Sequence, residues 1–422
     1  MKRYLLLLAT AAIVASCSST DSLKEINTPD EAIGFSTLTG KLTRAENSSA
    51  SETDALETYN TTFKVWGSKY FPDNYKLPAD ADEFPDEERV FGIDNVGEVV
   101  THDGSKWTYS PLRFWDRSAS NYSFFAAAPS GKSWTWDNAT KKLSLSNFAI
   151  SGYNSVTGTP ATEVDVDKVL TQNLDTEDLM ISTDITGYDT YTTAAVNLHF
   201  NHILSRLNIG VRKSSDLDAY DVKLNSIKVF NMKSNGTFDE SLAESTTLSN
   251  GTIARWATAP TTPATFTTGV GYEPASALLV TSTATTVTTY YQYVYEGLAI
   301  PQEVAYNQTV SVKEYTDAAD KTNLFKLDGS NATASSAPYI VIDYEIWTTG
   351  NDAAKIDGYK YYYNLADVFN GTTGEAASAG VKFCEGWQNT LKITLAPVAI
   401  TFDADVYEWE TKENVAVTVP EN

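Results

Sequence analysis

A chain of 422 residues is long enough for two or three domains with sizeable cores. Its formal net charge of −23 argues against nucleic acid and against anionic membrane surfaces as partners, and favours a soluble, self-repelling exterior. Aromatics make up 12 %, with 24 Tyr and 9 Trp against 3 Met, 2 Cys and 3 His, and short Thr- and Tyr-rich runs between Gly, Asn, Asp and Ser point to an all-β protein.

The N-terminus reads as a targeting segment. Lys2 and Arg3 are a basic start, and Tyr4 to Val14 is an apolar run too short to span a membrane as a mature helix. Val14, Ala15 and Ser16 then lead to Cys17, which resembles the bacterial lipoprotein signal. On that reading residues 1–16 are removed and Cys17 becomes a lipidated first residue. Acyl chains there would anchor the chain without a spanning helix. An ordinary secretory signal with an incidental cysteine is the other reading. With Cys17 acylated, only Cys384 remains, so no disulfide can form within the chain, and Cys384 reads as a small buried hydrophobe.

Ser18 to Pro29 is a polar tether, and Ala32 to Leu38 reads as a short strand. Glu46 to Thr62 has little to bury. Phe63 to Gly67 alternates as a strand should, and Lys76 to Arg89 reads as an acidic loop with Asp80, Asp82, Glu83, Asp86, Glu87 and Glu88. Trp107 to Trp115 is broken by Pro111, which marks an edge or a bend. Asn121 to Pro129 is a buried strand, and Trp134–Trp136 with Leu143–Leu145 form a hairpin. Residues 150–175 read as irregular, and Asp178 to Ser182 as a short strand.

From 196 the pattern carries a phase slip. Val196, Leu198, Phe200, His202 and Leu204 share one parity, while Leu207, Ile209 and Val211 share the other. A slip of one residue sends every later side chain to the opposite face. A bulge does this, and so does a strand that leaves one sheet for another. An N-terminal domain is therefore placed at 45–195 and a C-terminal domain at 196–422. Further strands are expected at Val222–Met232, Tyr290–Ile300, Tyr339–Trp347, Lys360–Asn364, Leu391–Leu395 and Ile400–Trp409, with one helical turn at Asn364–Phe369.

The last stretch is the one with a free end. Tyr407, Trp409, Thr411, Glu413, Val415, Val417 and Val419 share one face of an extended strand, and Glu408, Glu410, Lys412, Asn414, Ala416 and Thr418 the other. Such a strand, at about 405–420, needs a groove. The groove lies either in its own domain or in a neighbouring molecule that accepts an added strand.

Nothing in the chain assembles a catalytic or metal centre. His199 and His202 differ in parity and cannot ligate one metal from a regular strand. No HExxH, GxSxG, P-loop or CxxC occurs, so no catalytic residue, metal ligand or cofactor is expected. The acidic run reads as a solvated face, with a surface Ca²⁺ loop as the other possibility. Trp134 and Trp136 share a face and either belong to a core or stack on a sugar.

In order, the lipoprotein-like start, Thr43–Arg44–Ala45, Phe63–Gly67, Trp107–Trp115, Tyr122–Pro129, Val196–Arg206, Ile300–Gln302 and Ile400–Trp409 resemble a fimbrillin of the Bacteroidales type V pili. Gly386–Thr390 departs from the family pattern, where a Tyr-x-Tyr-like pair would stand. The resemblance implies two β-sandwich domains in a transthyretin-like arrangement, exported as an outer-membrane lipoprotein and then built into a surface fimbrium. It implies an arginine-specific protease that cuts between Arg44 and Ala45. That cut releases a 17–44 propeptide with its N-terminal strand. The emptied groove is then filled by the C-terminal strand of another pilin subunit, carried here on Tyr407, Trp409, Val415, Val417 and Val419. A chain with both Arg44 and that strand fits a stalk or adaptor. The alternatives are a tip adhesin of the same pilus and a non-polymerising lipoprotein that binds glycans through Trp134 and Trp136.

Overall fold

The computed structural model describes residues 32–39, 60–71, 87–116, 118–150, 178–182, 185–186, 195–242, 253–257, 269–273, 276–280, 291–304, 313–315, 338–350, 354–369, 381–397 and 400–408. Among these, almost every regular element is a strand, and the fold is all-β.

The first sheet carries β1 (Phe35–Thr39), β11 (Val196–His202), β9 (Met180–Ser182), β6 (Asn121–Ala128), β2 (Thr62–Tyr70), β4 (Glu98–His102) and β5 (Trp107–Thr108) in that order. β3 (Glu87–Phe91) adds to β2, and β10 (Ile185–Thr186) adds to β6. Both faces of this sheet are covered, so its central strands are apolar on both parities. On β2, Phe63 and Val65 join one core while Trp66 joins the other. On β6, Tyr122, Phe124, Ala126 and Ala128 face the first core, and Phe125 and Ala127 face the second.

The second core lies against a small sheet of β15 (Trp256–Ala257), β14 (Asn235–Asp239), β8 (Lys142–Ala149) and β7 (Trp134–Asp137). The expected hairpin is here, with Trp134 opposite Leu145 and Trp136 opposite Leu143.

The remaining strands form a sandwich. One layer is β18 (Gln292–Ala299), β12 (Ser205–Lys213), β24 (Trp387–Leu395) and β25 (Thr401–Glu408). The other is β16 (Val270–Tyr272), β13 (Tyr220–Phe230), β21 (Tyr339–Thr348), β22 (Lys355–Asn364) and β20 (Lys313–Tyr315), with β17 (Leu278–Leu279) on β13. Leu207, Ile209 and Val211 of β12 meet Ile340, Ile342 and Ile346 of β21 in one core. Tyr344, Tyr359, Tyr361 and Tyr363 stack within it, and the Tyr344 hydroxyl donates to Ala396 O at 2.7 Å, which satisfies a polar group deep in the core. The five-residue helix α1 (Leu365–Phe369) and the pair β19 (Gln302–Val304) and β23 (Val381–Phe383) complete it.

The phase slip marks a change of sheet. β11 pairs in the first sheet with β9, while β12 pairs with β18 and β24. The sequence reading starts the second domain at about 196, whereas the change of sheet falls between His202 and Ser205. Three hydrogen bonds pin that crossing. Ile203 N donates to Leu179 O at 2.9 Å, Trp256 Nε1 to Ile203 O at 2.8 Å, and Gly386 N to Leu204 O at 2.8 Å. The small sheet also joins the two parts, since β7 and β8 precede the crossing and β14 and β15 follow it.

One loop expectation needs correction. Glu87, Glu88 and Arg89 belong to β3, paired with Tyr70, Lys69 and Ser68. Glu88 meets Lys69 at 3.0 Å and Glu87 meets Lys141 at 2.5 Å, so the strand carries its acidic charge against lysines. The rest of the acidic run lies outside the described residues.

Candidate functional site

β1 lies at the end of the first sheet, with β11 as its ladder partner. The two run parallel, from Phe35 opposite Val196 to Thr39 opposite Phe200. Just before the strand, Ile33 N donates to Arg113 O at 2.9 Å, and Val196 N donates to Gly34 O at 2.8 Å. The segment alternates as the sequence requires: Ile33, Phe35 and Thr37 point inward and are 1 %, 7 % and 7 % exposed.

Each inward side chain has its own seat. Ile33 is buried in the first core, and its carbonyl accepts the Tyr109 hydroxyl at 2.6 Å. Burial pushes the Tyr109 phenol above its ordinary pKa. Phe35 sits among four rings, with centroids 6.1 Å from Phe63, 5.4 Å from Phe91, 5.7 Å from Tyr109 and 6.0 Å from Phe124. Thr37 accepts the Trp107 indole N–H on its hydroxyl at 3.0 Å. The seat therefore reads aliphatic, aromatic, hydroxyl from Ile33 to Thr37.

A strand at a sheet edge, tied by one ladder and capping an aromatic cluster, leaves two exposed features when it departs. One is the unpaired edge of β11, and the other is the apolar surface of Phe63, Phe91, Phe124 and Phe200.

Other residues singled out in the sequence fall elsewhere. Cys17, Arg44, Ala45, Trp409, Val415, Val417 and Val419 lie outside the described residues. Tyr407 lies in β25, opposite Gln388 of β24, so its backbone is engaged within this sheet. Trp134 and Trp136 do not offer a sugar platform. Both are buried in the second core; Trp134 donates its indole N–H to Pro129 O at 3.0 Å, and Trp136 donates to Asn138 Oδ1 at 2.9 Å. Their shared face is covered by β14 and by Phe125, which parity alone could not reveal. His199 and His202 do point to opposite faces of β11. His202 is buried beside Asp178, with Nδ1 3.0 Å from Oδ1, a partnership no local motif announces. Among the described residues no cluster of His, Cys, Asp and Glu could hold a metal ion. Cys384 is buried, and burial pushes its thiol up to about 11.

A model of fimbrillin-like proteins matches residues 43–409. The chain belongs to the fimbrillin-like family. As a fimbrillin-like chain it is a pilus-type subunit of the cell surface that associates with other subunits. No curated protein matches it by sequence. Among solved structures it is similar to a fimbrial protein from Bacteroides vulgatus, at 13 % identity and a TM-score of 0.48, over 90 % of this chain and 99 % of that one. It is also similar to the tip fimbrial protein Mfa3 from Porphyromonas gingivalis, at 9 % identity and a TM-score of 0.33, over 83 % of this chain and 94 % of that one.

Proposed function

We propose that this fimbrillin-like chain is a stalk or adaptor subunit of an adhesive pilus, assembled by exchange of strands between subunits. In this reading it is exported as an outer-membrane lipoprotein acylated at Cys17 and cut by an arginine-specific protease between Arg44 and Ala45. It donates its tail, on Trp409, Val415, Val417 and Val419, to a neighbour, while Tyr407 stays in β25. The two-sandwich, transthyretin-like organisation belongs to the same proposal, and so does a purely structural role without catalysis.

The observation that carries the reading is the position of β1. It is an edge strand with a buried inward face, and Arg44 follows its last residue, Thr39, after a short run. A cut there frees the strand from the body of the protein and leaves only the ladder and the seats to hold it. An emptied edge over an aromatic cluster favours refilling by another strand, because main-chain hydrogen bonds supply affinity and alternate side chains supply fit.

The test compares wild type with Arg44→Ala. In cells that make the other pilin subunits, wild type exposed to the protease should run as a ladder on gels without boiling, and Arg44→Ala should stay as single subunits with β1 in place. Cys17→Ala should leave the precursor unacylated and off the membrane. Normal assembly of the Arg44→Ala chain would sink the cleavage step.

A further inference from the structure

We infer that the seat of β1 is shaped for a strand from a different kind of subunit, one whose inward side chains run aliphatic, aromatic, hydroxyl, and that this chain's own tail is made for another seat. The inference rests on the strand-exchange reading above and names the partner of that same site.

The seats discriminate by size and by hydrogen bonding. The middle seat holds Phe35 against four rings, and a smaller side chain there leaves a void among Phe63, Phe91, Tyr109 and Phe124. The third seat presents the Trp107 indole N–H, which has donor capacity only and is met by the Thr37 hydroxyl. A hydrocarbon side chain there offers that donor nothing.

The tail fails this test in every register beyond β25. Val415, Val417 and Val419 underfill the middle seat and bring no acceptor to Trp107, in either strand direction. Each other run of three alternate residues in 409–422 turns Lys412, Glu413, Asn414, Pro420 or Glu421 inward. A charge or amide would be buried without a partner there, and a proline lacks the N–H the ladder needs. The one run with an aromatic in the middle and a threonine at its end is Tyr407, Trp409 and Thr411. Its first member is already paired with Gln388 in β25. The strand that satisfies all three seats is β1 itself, so the partner presents the same alternation on another chain.

The test uses the protein cut after Arg44, with three labelled peptides followed by fluorescence anisotropy: residues 31–40, the same peptide with Thr37→Val, and residues 409–420. The native 31–40 peptide should rebind, with the Thr37→Val version about tenfold weaker and the tail peptide weaker by at least as much. The cut protein alone should stay monomeric in size-exclusion chromatography. Tail binding equal to that of 31–40, or self-assembly of the cut protein, overturns the inference while leaving strand exchange in place. Failure of every peptide to bind, 31–40 included, overturns the exchange reading as well. In the uncut protein, Thr37→Val should lower the melting temperature more when Trp107 is present than in a Trp107→Phe background. Equal losses in both backgrounds would remove the hydroxyl preference.

Discussion

At the scale of single residues, the seat of β1 is the place where one side chain matters most. Phe35→Ala in the uncut protein should cost about 3–5 kcal/mol, the usual loss for emptying a ring-lined site, read by chemical denaturation. An effect well under that would mean the cluster closes over the gap. Acid should weaken the first sheet through Asp116. Burial raises its pKa, but hydrogen bonds from Lys69 and Ser118 outweigh that and hold the carboxyl below its ordinary value. A carboxyl depressed by folding stabilises the native state above the ordinary carboxylate range, and the contribution disappears as pH falls through the folded value. Melting temperature should therefore drop below about pH 4, and drop less for Asp116→Asn. The Cys384 thiol should resist Ellman's reagent in the native protein and react on unfolding, since burial pushes it up to about 11. Parity made the inward positions of β1 and β11 legible in the sequence. Parity could not say what lies over a face. Trp134 and Trp136 are under β14, and that contact depends on a strand about a hundred residues later.

At the scale of elements, the junction between β11 and β12 was visible as a phase slip at Ser205 and Arg206. The ion pairs that surround it were not, because their partners are remote in sequence and no spacing links them. Arg206 pairs with Glu296 across β12 and β18, and Arg255 pairs with Glu385, its Nε donating at 3.0 Å. Both carboxylates are almost fully buried. Removing one member of such a pair strands the other charge, so Arg206→Met should cost about 3–5 kcal/mol. Arg206→Met with Glu296→Leu should recover most of that loss in the same denaturation measurement. A double variant as unstable as the single one would show that packing, not charge, holds this part of β12.

At the scale of the whole molecule, alternation placed strands such as β2, β6, β12, β13 and β21, but it missed β3 and β4 and did not show sheet membership. β7 and β8 precede the crossing yet form a sheet with β14 and β15, because the apolar face of Trp134 and Trp136 needs Phe238 and Trp256 to cover it. Assembly should respond to the tail as well as to the seat of β1. Val415→Asp with Val417→Asp should abolish polymers in electron micrographs and leave the monomer's melting temperature unchanged. Unfolding of the monomer by the same change would return the tail to its own domain. The register of the second sandwich adds a mechanical consequence. Tyr407 at the end of β25 lies opposite Gln388, which lies opposite Arg206 at the start of β12, so β25 ends beside the junction and not at the far end of the sandwich. The run from Trp409 to Val419 spans about 35 Å when extended. Tension on that tail in a strand-exchanged polymer passes from β25 through β24 to β12, then through Ile203 and Leu204 into β11, whose edge grips the next strand. Of the stacked tyrosines of β22, Tyr363 touches Phe402 of β25, while Tyr359 and Tyr361 stand off this line of force. In single-molecule pulling, breaking the Arg206–Glu296 pair should therefore lower the rupture force, while trimming Tyr361 should soften the sandwich and leave the rupture force unchanged.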